Sequence, residues 1–287
     1  MTIRIQSTLS VGIEGIYTRT SGIYSPVLDS MSQAASWGWS VYQLSEAVTD
    51  CVDIREDGGG TTATIGFDGG YIDTAAIASH IGVNNGFSGK FYDGSGNQDA
   101  TETTSGSQMQ YNPSGFLNKA CFEADSSQFS SYPLDSGITS IGACNLFTLI
   151  RMTTPISGSD DVCFTRAGGN NAWSYSRARG LVGSKVLGMS QGSGNDLQIL
   201  EPIEWGVQTY LIEVVRDGSN NTNYLLDGVS KVESSFSNVQ TIDQLWGLFD
   251  SGAFELYEQV LFPAELSSGD RTTYINHLNT DFRTSFV

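Results

Sequence analysis

The chain has 287 residues, 39% of them hydrophobic and 33 of them glycine, enough apolar material for one large core or two small ones and enough glycine to demand many turns. Its formal charge of −17 excludes the counterion-releasing grip by which Lys and Arg hold nucleic acid, and it disfavours anionic membrane surfaces, so neither is expected as a partner. No apolar run is long enough to span a bilayer; the acidic surplus suits solubility, or carboxylates set out for Ca²⁺.

The opening, Met1-Thr-Ile-Arg-Ile-Gln-Ser-Thr-Leu-Ser, lacks the apolar stretch of a secretory leader. Residues 1–33 are sparse in apolar side chains: Ile3 and Ile5 alternate with polar residues, and Val11, Ile13 and Ile16 are scattered. They read as an arm that attaches the chain to a larger assembly, or as an edge strand of the main domain. The main domain is expected over 34–287. Trp39 to Ala47 reads as a short helical turn, Cys51 to Arg55 and Thr62 to Phe67 as strands, and Thr74 to Ile81 as a short helix capped by Asp73 or Thr74.

Strands then recur with turn residues between them: Leu146–Met152, Val162–Ala167, Trp173–Arg179, Lys185–Ser190, Leu197–Leu200, Thr209–Arg216, Asn223–Leu226, Gln244–Phe249 and Phe254–Phe262. Tyr210, Ile212 and Val214 share one face while Glu213 points to the other. Asp217-Gly218 and Asp227-Gly228 are hairpin turns. Near the end, Ser267 or Ser268 caps a helix with Asp270 in its first turn and Tyr274, Ile275, Leu278 and Phe282 on one stripe. This pattern predicts an all-β protein: an antiparallel β-sandwich with a few short helices, one near the C-terminus. Cys51, Cys121, Cys144 and Cys163 form no C-x-x-C pair and stand beside apolar residues, as buried free thiols of a reducing compartment do; a disulfide in any of three pairings stays open.

Two stretches carry a family resemblance. Val52-Asp-Ile-Arg, Ile65-Gly-Phe-Asp, Tyr71-Ile-Asp-Thr-Ala-Ala and above all Tyr92-Asp-Gly-Ser-Gly-Asn-Gln-Asp-Ala-Thr resemble the α-L-arabinofuranosidase-B region, including copies carried by phage tail and virion proteins. Phe122-Glu-Ala-Asp-Ser-Ser-Gln-Phe, Asn223-Tyr-Leu-Leu-Asp-Gly-Val and Phe254-Glu-Leu-Tyr-Glu-Gln-Val-Leu-Phe-Pro are similar to strands of a laminin-G or concanavalin-like jelly roll. The resemblance implies that sandwich fold, with an arabinofuranosidase-B-like part at 34–115 and a jelly-roll part at 116–287.

Glycoside hydrolysis needs two carboxyl groups facing one sugar. Glucanases on this fold line three acids along one strand face, whereas here Glu123 and Asp125 are followed by Ser127. The resembled family carries a Cys-Cys-Phe-Asp-type segment with a glutamate soon after; the nearest stretch, Val162-Cys-Phe-Thr, has Thr165 at the aspartate position and no glutamate after it. No enzymatic activity is therefore expected. His80 and His277 read as surface or partly packed residues. Candidate Ca²⁺ ligands are Asp93, Asn97 and Asp99 in one loop and Glu123 with Asp125 in another, against the plainer reading of Asx turns. Trp173, Tyr175, Trp37 and Trp205, with Trp39 nearby, are candidates for a glycan-stacking platform, while Trp246 reads as core. The leading functional expectation is a non-enzymatic phage virion component — head decoration, spike or tail fibre — assembled in the host cytoplasm. It would bind virion proteins through 1–33, form a homo-oligomer with a trimer favoured, and display a glycan-binding sandwich. The alternative is a secreted carbohydrate-binding protein or an arabinofuranosidase-B-like glycosidase.

Overall fold

A computed structural model describes residues 24–124, 132–154, 161–166, 173–181, 184–191, 195–199, 208–219, 221–235, 240–249, 253–282, 284 and 286; within 136–141, 154–199 and 232–249 it describes the backbone path alone. The strands are β1 (Trp37–Ser40), β2 (Asp50–Glu56), β3 (Thr62–Asp68), β4 (Tyr71–Ile72), β5 (Gly86–Phe91), β6 (Ala100–Thr101), β7 (Gln110–Asn112), β8 (Cys121–Ala124), β9 (Tyr132–Ile141) and β10 (Cys144–Thr154). They continue with β11 (Asp161–Arg166), β12 (Trp173–Leu181), β13 (Ser184–Gln191), β14 (Asn195–Ile199), β15 (Tyr210–Arg216), β16 (Asn221–Leu226), β17 (Val229–Ser235), β18 (Gln240–Phe249) and β19 (Ala253–Phe262). The helices α1 (Thr74–Ile81) and α2 (Ser268–Asp281) complete the described elements longer than one turn.

All the pairings are antiparallel. One sheet runs β17-β16-β15-β10-β19; the far edge of β19 holds β1 and β8, and the sheet continues through β7, β5, β2 and β3. The other runs β9-β18-β11-β12-β13-β14. β9 also pairs with β6 of the first sheet, so it belongs to both. The all-β antiparallel sandwich expected from the strand spacing is the fold observed. The stretch from Trp39 differs from expectation: Trp37–Ser40 is a strand on β19, because both tryptophans are needed in the interior, at 0% and 1% exposure.

Alternation sorts the inner face. Trp39 meets Phe91 and Phe122 edge-on at 4.7 and 5.4 Å between ring centroids, and Phe91 meets Tyr132 at 4.9 Å. Burial of such rings is a main source of stability. The opposite face of β10 and β19 is covered by α2: Tyr274 packs at a tilt on Phe147 at 4.4 Å and edge-on against Phe262 at 5.8 Å. Hence β19 is buried on both faces along nearly its whole length. The predicted stripe of Tyr274, Ile275, Leu278 and Phe282 is buried, and the Ser267 hydroxyl accepts from the Asp270 N–H as the predicted cap. Polar groups fix the helix further. Arg271 forks onto the buried Glu213, with Nη2–Oε2 at 2.7 Å, while Asn145 donates to the same carboxylate. Glu213 therefore does leave the apolar face of its strand, as alternation required, but it lies beneath α2 and not in water.

β19 carries a bulge. Leu149 pairs with Glu258 and the next residue, Ile150, pairs with Leu256, so Tyr257 is an extra residue on its strand. The Asp227-Gly228 hairpin has φ of +52° and +82°, the left-handed pair of a tight turn matched to strand twist. Residues 24–33 lie against the sandwich: Val27 is buried, and Ser32 donates through its N–H and hydroxyl to Asp270. Residues 1–23, most of the proposed arm, lie outside the described residues. Among the described residues no helix is long and apolar enough to cross a membrane.

Candidate functional site

The register brings together acids that are far apart in sequence. Glu123 of β8 stands directly opposite Glu255 of β19, and Glu255 stands opposite Arg151 of β10. Directly opposed residues of an antiparallel pair share a face, so the three side chains converge. Oxygens of Glu123 and Glu255 and the Cys121 sulfur lie within 4.8 Å of one another. Arg151 holds Glu255 through Nε at 2.8 Å and through a second guanidinium nitrogen, the Tyr257 hydroxyl donates to Glu255, and the Phe116 N–H donates at 3.3 Å. Asn112 donates its side-chain amide to Glu123.

Electrostatics divides the two acids. Burial opposes the Arg151 charge, but the Glu255 carboxylate outweighs burial and raises the guanidinium above its ordinary value. Glu255 is 1% exposed, whereas Glu123 is half-buried and reachable. Burial, then the two neighbouring carboxylates, push the Cys121 thiol far up, so it stays protonated; burial also leads the rise at Tyr257. A protonated thiol and a carboxylate already filled by a guanidinium make a poor metal cage. The arrangement suits a close carboxylate pair, one member fixed by a guanidinium and the other accessible. Backbone from the 113–119 loop lies directly over it: a Cβ on Gly115 would meet the Tyr257 hydroxyl at 2.5 Å and the Cys121 sulfur at 2.7 Å.

The sequence candidates fall elsewhere, Glu123 excepted. Asp93 is buried, and its carboxylate accepts from the N–H groups of Gly38, Ser95, Asn97 and Gln98 and from the Ser95 hydroxyl at 2.7–2.9 Å. Asp99 accepts from the Asp93 N–H and pairs with Lys90 at 2.6 Å, while the Asn97 amide turns its donors to Ala35, Ser36 and Ser95. These oxygens face hydrogen-bond donors, as in an Asx-stapled turn. Asp125 and Trp205 lie outside the described residues, and Trp173 and Tyr175 lie on β12, where only the backbone is described, as do Cys163 and Trp246 on their strands. Trp37 and Trp39 are interior, so neither offers a ring face to a sugar. Cys51, Cys121 and Cys144 are free and buried.

Residue reading missed Glu255, Arg151 and Tyr257, because the search for acids followed one strand and the partner lies across the sheet. The signal present was two glutamates inside the very apolar run Phe254–Phe262. His277 is partly packed, one of the two placements expected for it, but its bonds were not foreseen. Its side chain is 6% exposed and bonded at both ring nitrogens, Nε2 to Glu258 at 3.1 Å and Nδ1 to Asp281 at 2.9 Å.

No family model matches the chain, and no curated protein matches it in sequence. Solved structures do. An arabinofuranosidase complexed with arabinofuranosyl-α-1,2-xylobiose superposes with a TM-score of 0.64 at 12% identity, covering 87% of this chain and 63% of that one. A GH54 α-L-arabinofuranosidase soaked with a cyclic sulfate inhibitor gives 0.64 at 10% identity, covering 91% and 65%. The chain thus spans a little less than two thirds of the length of those proteins. At these identities the likeness is one of fold. It corrects the expectation of a non-enzymatic virion component: both of these superposed structures are arabinofuranosidases, and a second acid, Glu255, stands opposite Glu123 on the neighbouring strand.

Proposed function

We propose that this chain is a carbohydrate-active sandwich that hydrolyses glycosidic bonds at Glu123 and Glu255, with arabinofuranosyl linkages as its substrate class. The observation that carries the reading is the approach of the two carboxylates within 4.8 Å on paired strands. Retaining hydrolases hold their acids about 5 Å apart, whereas inverting ones need roughly 6.5–9.5 Å to admit a water. Glu255, held in place by Arg151 and Tyr257, takes the nucleophile's part; Glu123, half-buried and reachable, protonates the leaving oxygen and later activates water. The fold shared with arabinofuranosidases supports the substrate class. Because Glu255 lies under Phe116, the 113–119 loop lifts for the sugar to reach it.

The burial of Glu255 also favours a second reading, in which the same surface binds saccharide without cleaving it. Release of 4-nitrophenol from 4-nitrophenyl α-L-arabinofuranoside, and of arabinose from arabinan, separates the two. Turnover that falls about a thousand-fold in both Glu123→Gln and Glu255→Gln is the expected result. Saccharide binding with no turnover selects the second reading, and turnover indifferent to both substitutions overturns the site.

A further inference from the structure

The carboxylate pair is the middle of a longer row. Reading straight across the sheet, Arg55 of β2 pairs with Phe87 of β5, Phe87 with Gln110 of β7, Gln110 with Glu123, Glu123 with Glu255, and Glu255 with Arg151. Directly paired residues project to the same side, so these side chains form one stripe perpendicular to the strands. At the usual strand spacing it is about 24 Å long. Every member except Glu255, which lies under the 113–119 loop, is half-buried and reachable. Each end is closed by a guanidinium lying on a ring: Arg55 sits 5.0 Å from the Phe87 centroid, and Arg151 sits 4.9 Å from that of Phe116, which is 42% exposed.

We infer that this row is a set of contiguous saccharide subsites, so that the ligand is an extended, uncharged oligosaccharide running across the strands from Phe116 to Phe87. The inference rests on the reading of Glu123 and Glu255 as a carbohydrate site and extends it to Gln110, Phe87 and Arg55. Charge decides against other occupants. In a chain of net −17, this stripe is balanced, with Arg55 and Arg151 offsetting Glu123 and Glu255. It presents neither the positive field a polyanion needs nor the continuous apolar area a protein partner buries. What it offers is planar faces at intervals, with an amide, carboxylates and guanidinium groups between them. Those groups both donate and accept, as the faces and hydroxyls of successive sugar rings require.

The test is titration of the full chain with linear xylo- and arabino-oligosaccharides of increasing length, beginning at the single sugar, in wild type, Phe87→Ala and Gln110→Ala. Affinity is expected to rise with length in the wild type. Both substitutions are expected to cost about tenfold on the long probes and far less on the single sugar. Gln110→Ala guards against loss of fold at Phe87, and melting temperature is recorded for both. Affinity that does not depend on length, or an equal loss at every length, overturns the row while leaving the carboxylate site standing. Absence of binding at any length overturns both readings.

Discussion

Replacing His277 by Gln tests the anchoring of α2. Burial alone lowers a histidine's pKa, yet Glu258 on β19 and Asp281 on α2, each bonded to one ring nitrogen, outweigh it and raise His277 from 6.5 to about 9. A group whose folded pKa lies above its unfolded value stabilises the fold most fully below the unfolded value. That contribution is lost as pH rises through the folded value. From 6.5 to about 9, the difference corresponds to a contribution of about 3 kcal/mol. The group is nearly sealed from water, so solvent screening removes little of this. Tyr274, whose hydroxyl bonds Glu258, and Phe282, packed edge-on at 6.4 Å, complete the surroundings. Urea unfolding of wild type and His277→Gln, at half-unit steps from pH 5.5 to 10, is the assay. The gap in stability is expected to be widest below pH 6.5 and to close as pH passes 9. Parallel profiles across that window would refute a charged His277 held between two carboxylates.

Gly115→Ala drives a methyl group into the Tyr257 hydroxyl and the Cys121 sulfur. It is expected to cost roughly 1–3 kcal/mol in thermal unfolding and to lower turnover; an unchanged melting curve would show that the 113–119 loop does not press on the site. Asp93→Ala strips a buried loop of its shared acceptor and is expected to lower stability by roughly 1–3 kcal/mol. Adding Ca²⁺ or a chelator to the wild type is expected to leave the melting temperature where it was, and a rise with Ca²⁺ would reinstate the ion. Trp39→Ala, which empties the centre of the Phe91–Phe122 cluster, is expected to cost about 3–5 kcal/mol in chemical denaturation; a loss well below 1 kcal/mol would contradict its place in the core.

Strand alternation, turn residues and helix caps are local, and where they decided the outcome the sequence was readable. Thr74–Ile81 and its Asp73 cap, the Ser267 cap of α2, and β15 and β19 nearly to the residue all appear as expected. β9 and β17 escaped notice: Tyr132–Ile141 is interrupted by Pro133 and Gly137, and Val229–Ser235 is mostly polar, so neither alternates cleanly. The site was less legible, because Glu123 and Glu255 are separated by nearly half the chain and meet only through the pairing of β8 with β19. No periodicity within one strand reports such a pairing. For His277 a signal did exist: Asp281 follows it by four residues on a helix, a spacing that predicts a contact.

The bulge at Tyr257 sets the parity of everything before it on β19. Glu255 and Glu258 differ by an odd number of positions, and a regular strand would turn them to opposite sides of the sheet. With one residue added, both leave the interior on the same side: Glu258 meets His277 and Tyr274 under the helix, and Glu255 meets Arg151. Were the bulge smoothed out with Tyr257 retained, Tyr257 would stand opposite Ile150, Leu256 opposite Arg151 and Glu255 opposite Met152, turning the acid inward and the leucine out. Deleting Tyr257 would instead remove the bulge and leave Glu255 opposite Arg151. The acid-bearing surface thus depends on where the strand takes up its extra residue, and it can be lost with no substitution at either glutamate.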